Sequence, residues 1–233
     1  STLFPYTTLF RSALAEMIFV PGQYWGNGRE DELKSLNENL PSSTSMTLTG
    51  GKIWGEVSES FLSTLKNNLS AGGKTYRPVS LWINWPVTDN SKQHLILGGG
   101  EKFLHPNVDP SLLSGIMLNP MQQSEPSKIA LFSGAQYSWK QWKSEEEAKK
   151  INDIAFNFVE NGHFEDSKVS AAFRELGKHM INQNMDNRVV KLEESVDLAP
   201  KLTDFMTKLK AGQDVTAERA ALRAEFAKIK EAG

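Results

Sequence analysis

Apolar residues in the first 140 positions fall into short runs, and the runs alternate with segments in which apolar residues recur three or four positions apart. A short apolar run suits a buried strand, whereas the wider spacing suits a helix with one buried side. The pattern predicts strands at Met17–Pro21, Met46–Thr49, Val79–Trp85 and Gly115–Leu118. It predicts helices over Asp31–Leu40, with Leu33, Leu36 and Leu40 on one side, and over Glu56–Leu69, with Val57, Phe61, Leu65 and Leu69 aligned. Strand starts separated by roughly thirty residues match the size of a βα repeat. Each predicted strand runs out into a polar or Gly-rich loop, carrying in turn Tyr24, Thr49-Gly50-Gly51, Asn84 to Asp89, and Asn119.

After Ser138 the spacing is helical throughout. Ser144 and Glu147 have the Ser-x-x-Glu spacing of a capping box, whose two side chains satisfy backbone donors left free at a helix start. Ile151, Ile154, Ala155, Phe158 and Val159 share one side of the helix that follows. The pattern repeats at Val169, Ala172, Phe173, Leu176 and Met180, at Leu202, Phe205, Met206 and Leu209, and at Leu222, Phe226 and Ile229. The predicted fold class is therefore α/β: four β/α units, half of a (β/α)8 TIM barrel, followed by an α-helical bundle with a solvated charged face.

Composition changes near residue 142. All six Trp and all four Tyr lie at or before it, and charged residues rise from 22 of the first 140 to 32 of the 93 that follow. The expected division is a barrel part over 13–142 and a helical part over 143–233. Residues 1–12 are set aside, because Thr2 to Ser12 resembles the in-frame translation of a short-read sequencing adapter; on that reading the gene is cut just before Ala13.

Twenty-six basic against 28 acidic side chains give a net charge of -2. That is too small to draw the chain to nucleic acid or anionic lipid. No run of about eighteen apolar residues exists to span a membrane. The absence of cysteine excludes disulfide and thiolate chemistry and leaves the compartment open. The four histidines are far apart and lack metal-ligand spacing, so no metal and no cofactor is implied. Gly98-Gly99-Gly100-Glu101-Lys102 lacks the spacing of a phosphate loop and reads as a turn. Glu30-Asp31 reads as a helix start, where carboxylates complement the dipole.

What remains is positional. In a barrel of this kind the active site lies at the C-terminal ends of the strands. There the sequence puts Tyr24, Thr49, Trp82, Asn84, Asp89 and Asn119, hydrogen-bonding groups beside aromatic faces. Sugars use that mixture, since hydroxyls need donors and acceptors and apolar C–H faces pack on rings. The same residues also fit a plainer reading, with Trp82 and Trp85 filling the barrel and Asn84 forming a turn.

Longer stretches carry a resemblance. Trp82-Ile83-Asn84-Trp85-Pro86-Val87-Thr88-Asp89, His94-Leu95-Ile96-Leu97-Gly98 and Ser114-Gly115-Ile116-Met117-Leu118-Asn119-Pro120-Met121 lead to Glu125, Ser127-Lys128-Ile129-Ala130 and Tyr137-Ser138-Trp139. From about Met17 to Trp142 the chain resembles glycoside hydrolase family 84, the β-N-acetylglucosaminidases that include O-GlcNAcases and hyaluronidase-like enzymes. The later helices resemble the helical domain that follows that barrel.

The resemblance implies a C-terminal barrel half and a retaining hydrolase in which the substrate's own 2-acetamido oxygen attacks the anomeric carbon, outside the two-carboxylate rule. Two adjacent aspartates do the proton work in such enzymes, and no Asp-Asp pair occurs in this sequence. The chain is then expected to keep the sugar-binding side without the catalytic pair. By resemblance, Asp89 accepts hydrogen bonds from the 4- and 6-hydroxyls, Asn119 binds ring hydroxyls, and Asn84 steadies the acetamido network. Tyr24 sits near the acetamido oxygen, and Thr49 and Trp82 wall the acetamide methyl. Gln23 and Gly51 depart from the acidic residues common around Tyr24 and Thr49. The implied partner is a glycan or glycoprotein containing N-acetylglucosamine, and the implied setting is a bacterial secreted or cell-surface protein. A non-catalytic sugar-binding or adhesion protein is the alternative.

Overall fold

The computed structural model describes residues 17–22, 25–26, 29–50, 52, 55–89, 95–181 and 192–232. Tyr24, His94 and the residues set aside at the N-terminus lie outside them. Four parallel strands, β1 (Met17–Val20), β2 (Ser45–Thr49), β3 (Val79–Pro86) and β4 (Leu113–Asn119), form one sheet in chain order. Among the described residues seven α-helices accompany them: α1 (Glu30–Asn39), α2 (Glu59–Leu69), α3 (Ser124–Trp139), α4 (Glu145–Asn161), α5 (Lys168–Gly177), α6 (Leu198–Lys210) and α7 (Thr216–Lys228). The class is mixed α/β.

β3 shows how the sequence makes the sheet. Val79, Leu81, Ile83 and Trp85 alternate with Ser80, Trp82 and Asn84, and the first set is buried while the second is only half-buried. Side chains of successive strand residues point to opposite faces, so the helix side of the sheet collects the apolar set. Met46 and Leu48 join it from β2, and Leu33, Leu62, Leu65 and Leu69 pack there from α1 and α2. The opposite face carries Thr47, Ser80 and Ser114, with Thr47 Oγ1 donating to Met17 Sδ at 3.0 Å and the two serine hydroxyls 3.0 Å apart.

Three local expectations are corrected. α2 starts at Glu59, not Glu56, because Ser58 is the cap: its Oγ accepts the Phe61 N–H at 3.2 Å. Glu56 is thereby left in the loop. The expected capping box at Ser144 is half formed, since Ser144 Oγ accepts the Glu147 N–H at 3.1 Å but the Glu147 carboxylate takes the Lys143 N–H, one residue further back, at 2.7 Å. The reciprocal box occurs at Ser167 and Ser170, at the start of α5. The third correction concerns helical onset after Ser138, since α3 already begins at Ser124, directly after β4.

Between β3 and β4 the described residues contain short 3-10 turns and no α-helix. The segment 95–105 crosses the molecule held by hydrogen bonds to elements on every side. Ile96 N–H donates to Met121 Sδ at 3.3 Å, Leu97 N–H to Met180 O at 2.7 Å, and Gly100 N–H to Ser133 Oγ of α3 at 2.7 Å. Buried aromatics supply the reverse contacts: Trp85 Nε1 donates to Gly98 O at 3.1 Å, Trp142 Nε1 to Leu104 O at 2.9 Å and the Tyr137 hydroxyl to His105 O at 3.0 Å. Large rings thus fill the core while their polar atoms find backbone partners. Leu97, Ile129, Ala155 and Phe156 form a second core, packed by Phe173 and Leu176, which joins α3 to α4 and α5.

Candidate functional site

Three of the residues singled out by position meet at the C-terminal end of the sheet. Asn84 Oδ1 accepts from Trp82 Nε1 at 2.8 Å and from Asn119 Nδ2 at 3.1 Å. Strand geometry brings them together: Trp82 and Asn84 are two residues apart on one face of β3, and Asn119 ends β4 opposite Pro86, past a register shift that begins at Ile83. The same pleat separates the two candidate tryptophans. Trp85 is wholly buried among the core apolar residues, whereas Trp82 remains half-buried with Phe19 edge-on at 5.6 Å.

Thr49 stands beside Trp82 in the β2–β3 register. Its hydroxyl accepts the Gly22 N–H, which binds the loop after β1 to the end of β2. Glycine is required at 22, because a Cβ there would overlap Gly50 O. Asp89 lies on the exposed turn just beyond β3. Tyr24 falls outside the described residues, so four of the six candidates have a place on the sheet end and Asp89 stands at its rim.

The motif downstream of Asn119 has a positioning role. Ser127 Oγ accepts the Met121 N–H at 3.1 Å and donates to Gln123 O at 2.8 Å, fixing the turn that carries Asn119 into α3. Met121 Sδ in turn receives Ile96 N–H, so the Asn119 turn and the segment after β3 are held as one piece.

Glu56 was missed by the sequence reasoning. It lines a small crevice with Trp82, Asn84, Gly50 and Gly55, and its carboxylate pairs with His105 Nε2 at 2.9 Å. The signal that existed was its place in the segment that follows the predicted strand Met46–Thr49; reading it as the first residue of a helix hid it. Among the described residues no group of three or more His, Asp or Glu converges as a metal site would require, and no helix is long and apolar enough to cross a membrane.

The family model for beta-N-acetylglucosaminidase matches residues 6–178, a span that begins inside the segment set aside at the N-terminus and ends one residue past α5. The chain belongs to this beta-N-acetylglucosaminidase family of glycoside hydrolases. Its fold is similar to that of CpGH84D, with a TM-score of 0.68 and 23% identity over 97% of this chain and 36% of that one. It is also similar to an Asp-to-Asn mutant of the Thermobaculum terrenum O-GlcNAc hydrolase, with a TM-score of 0.59 and 19% identity over 97% of this chain and 44% of that one. The chain therefore spans less than half the length of either structure.

Proposed function

We propose that this chain forms the sugar-holding side of a retaining β-N-acetylglucosaminidase acting on terminal β-linked N-acetylglucosamine of a glycan or glycoprotein, its four strands being the C-terminal half of the catalytic barrel. The observation that carries the reading is the Asn84 amide oxygen fixed between Trp82 Nε1 and Asn119 Nδ2. Those bonds set the orientation of all three side chains before any ligand arrives, which is what a preorganised binding wall needs.

In this mechanism the substrate's 2-acetamido oxygen attacks the anomeric carbon as the glycosidic C–O bond breaks. The leaving oxygen takes a proton from one carboxylic acid while the acetamido N–H gives its proton to a second carboxylate, and an oxazoline remains. Water then opens it at the anomeric carbon, giving a proton to the first carboxylate while the ring nitrogen takes its proton back, so configuration is retained. Asn84 steadies the acetamido group, Thr49 and Trp82 wall its methyl, Asn119 holds ring hydroxyls and Asp89 accepts from the 4- and 6-hydroxyls; Tyr24 completes the set. With no Asp-Asp pair in its sequence, the chain by itself supplies binding and not proton transfer. That same observation favours, as the second reading, a sugar-binding protein with no hydrolytic role.

The test is titration of the chain with N-acetylglucosamine, followed by tryptophan fluorescence, beside Asn84→Ala. Saturable binding that the variant loses supports the proposal; no binding, or equal binding in both proteins, rejects it. An aryl β-N-acetylglucosaminide should be left intact by the pure chain, and its turnover would reject the assigned division of labour.

A further inference from the structure

A cleft of about 590 Å³ opens between the segment 97–106 and the facing sides of α4 and α5, but the two unpartnered acceptors in its wall, Asn152 Oδ1 and Glu101 Oε2, are sealed from solvent. The groups that the chain does display lie on the hairpin of α6 and α7, helices of 13 residues each. Lys201 pairs with Glu225 and Lys208 with Glu218, so the helices run antiparallel and these four side chains mark one side of their seam. Leu202 and Leu209 follow the two lysines by one residue, and Arg219 and Phe226 follow the two glutamates by one. One residue is a turn of about 100° around a helix axis. Antiparallel neighbours are related by a two-fold axis across the seam, so both rows swing to the same side of the hairpin, away from the ion pairs. The rows continue at helical spacing, Leu202, Met206 and Leu209 on α6 and Arg219, Arg223, Phe226 and Lys230 along α7 and just past its end. All of these side chains are exposed.

The two helices put charge of one sign on this side. Their three carboxylates, Asp204, Glu218 and Glu225, are taken by Lys201, Lys208 and Lys228. Asp214, near Arg219 at the hairpin tip, holds the Thr216 N–H and hydroxyl. Among the described residues Arg219, Arg223 and Lys230 make no ion pair or hydrogen bond. The result is a groove with two unlike walls, apolar along α6 and basic along α7, with Phe226 set level with Leu202 by the Lys201–Glu225 pair. A second copy does not fit it, for it brings the basic row against itself or against the apolar one. A helix that lies on lipid carries its basic residues and its apolar face together, whereas α6 and α7 divide the two. A helix with adjacent apolar and acidic rows matches both walls at once. We propose that the groove between α6 and α7 docks an acidic amphipathic helix of another protein, its apolar row against Leu202, Met206 and Leu209 and its carboxylates against Arg219, Arg223 and Lys230. The surface is independent of the sugar-binding reading.

The probe is a synthetic peptide of about fifteen residues, enough to run the length of α6, held helical by a side-chain staple, with leucine along one row and glutamate along the next. A twin peptide carries lysine in place of glutamate. Fluorescence anisotropy of each labelled peptide, titrated with the whole chain, should show saturable binding of the glutamate helix and binding of the lysine helix weaker by about tenfold or more. Arg219→Glu combined with Arg223→Glu reverses charge at exposed positions, so this variant should keep its melting temperature and prefer the lysine helix. Met206→Gln removes an apolar contact on the other wall and should weaken the glutamate helix about threefold or more. No binding of the glutamate helix, equal binding of the two peptides, or an unchanged preference in the charge-reversed variant would each overturn the proposal. Binding to vesicles of phosphatidylglycerol and phosphatidylcholine without binding to the glutamate helix would overturn it in favour of a lipid surface. Dimerisation in sedimentation runs that Met206→Gln abolishes would overturn it in favour of a second copy.

Discussion

Two polar clusters, one at the end of the sheet and one between the 97–106 segment and α4, sit on either side of Trp85 and obey opposite rules. At the sheet end the Asn84 oxygen is given two donors, one two residues back on its own strand and one from the neighbouring β4. In the cleft, Asn152 and Glu101 present acceptors that the described residues leave unanswered. The difference is one of architecture. Strand register repeats at fixed spacing and brings complementary groups level with each other, whereas a loop meeting a helix has no such repeat. A polar group there is satisfied by chance, by selection or by a ligand.

The largest expected effect comes from the residue both clusters lean on. Trp85→Ala removes a wholly buried ring, its contact with Phe103 at 4.3 Å and its bond to Gly98 O. It should cost about 3–5 kcal/mol in chemical unfolding and disturb both clusters together; a loss under about 1 kcal/mol would show that they are not mechanically joined. Next comes Asp89→Ala in a longer protein that also carries the acid pair. If two sugar hydroxyls rest on that carboxylate, kcat/KM should fall roughly a hundredfold or more, with no matching loss of thermal stability since Asp89 is exposed. Unchanged kinetics would remove Asp89 from the site.

Smaller effects separate the clusters. Asn84→Leu strips an acceptor from Trp82 and Asn119 and should cost about 2 kcal/mol of stability as well as sugar affinity; calorimetry on the variant checks both. In the cleft the sign reverses. The ordinary carboxyl value of 4.5 for Glu101 rises to about 7 on folding, so the folded chain holds this proton more tightly than the unfolded one. Stability from this group is therefore greatest below about 4.5 and is lost as pH rises toward 7. Glu101→Gln should be the more stable protein at pH 8, by about 1–2 kcal/mol, with that advantage shrinking to nothing in acid. A variant destabilised at pH 8 would mean that Glu101 has a partner.

How legible this was in the sequence depended on whether a feature repeats. The strands fell close to their expected bounds because apolar runs and a period of two mark them, and β3 alone explains why Trp85 is core and Trp82 is not. α3 was hidden as a separate helix because its buried side, on which Ser127, Ala130, Ser133, Gly134 and Tyr137 recur at helical spacing, is built largely of small or polar residues and so makes no apolar stripe. Glu56 was masked by the capping choice of Ser58. Glu101 looked like part of a turn, and its burial depends on α4, which arrives some fifty residues later in the chain. Neither local spacing nor residue type reports such a meeting.

The segment 95–105 has one more consequence. Because its backbone is tied at once to the sheet through Trp85, to α3 through Ser133 and to the turn after α5 through Met180, these elements are expected to open together. Amide hydrogens of β3, α3 and α5 should therefore exchange with solvent in a single slow phase, as one cooperative unit. The α6–α7 hairpin stands apart: it buries Leu198 and Leu222 and leaves Met206, Leu209 and Phe226 exposed. Its amides should exchange earlier, so it opens before that unit and reports least on what either cluster holds.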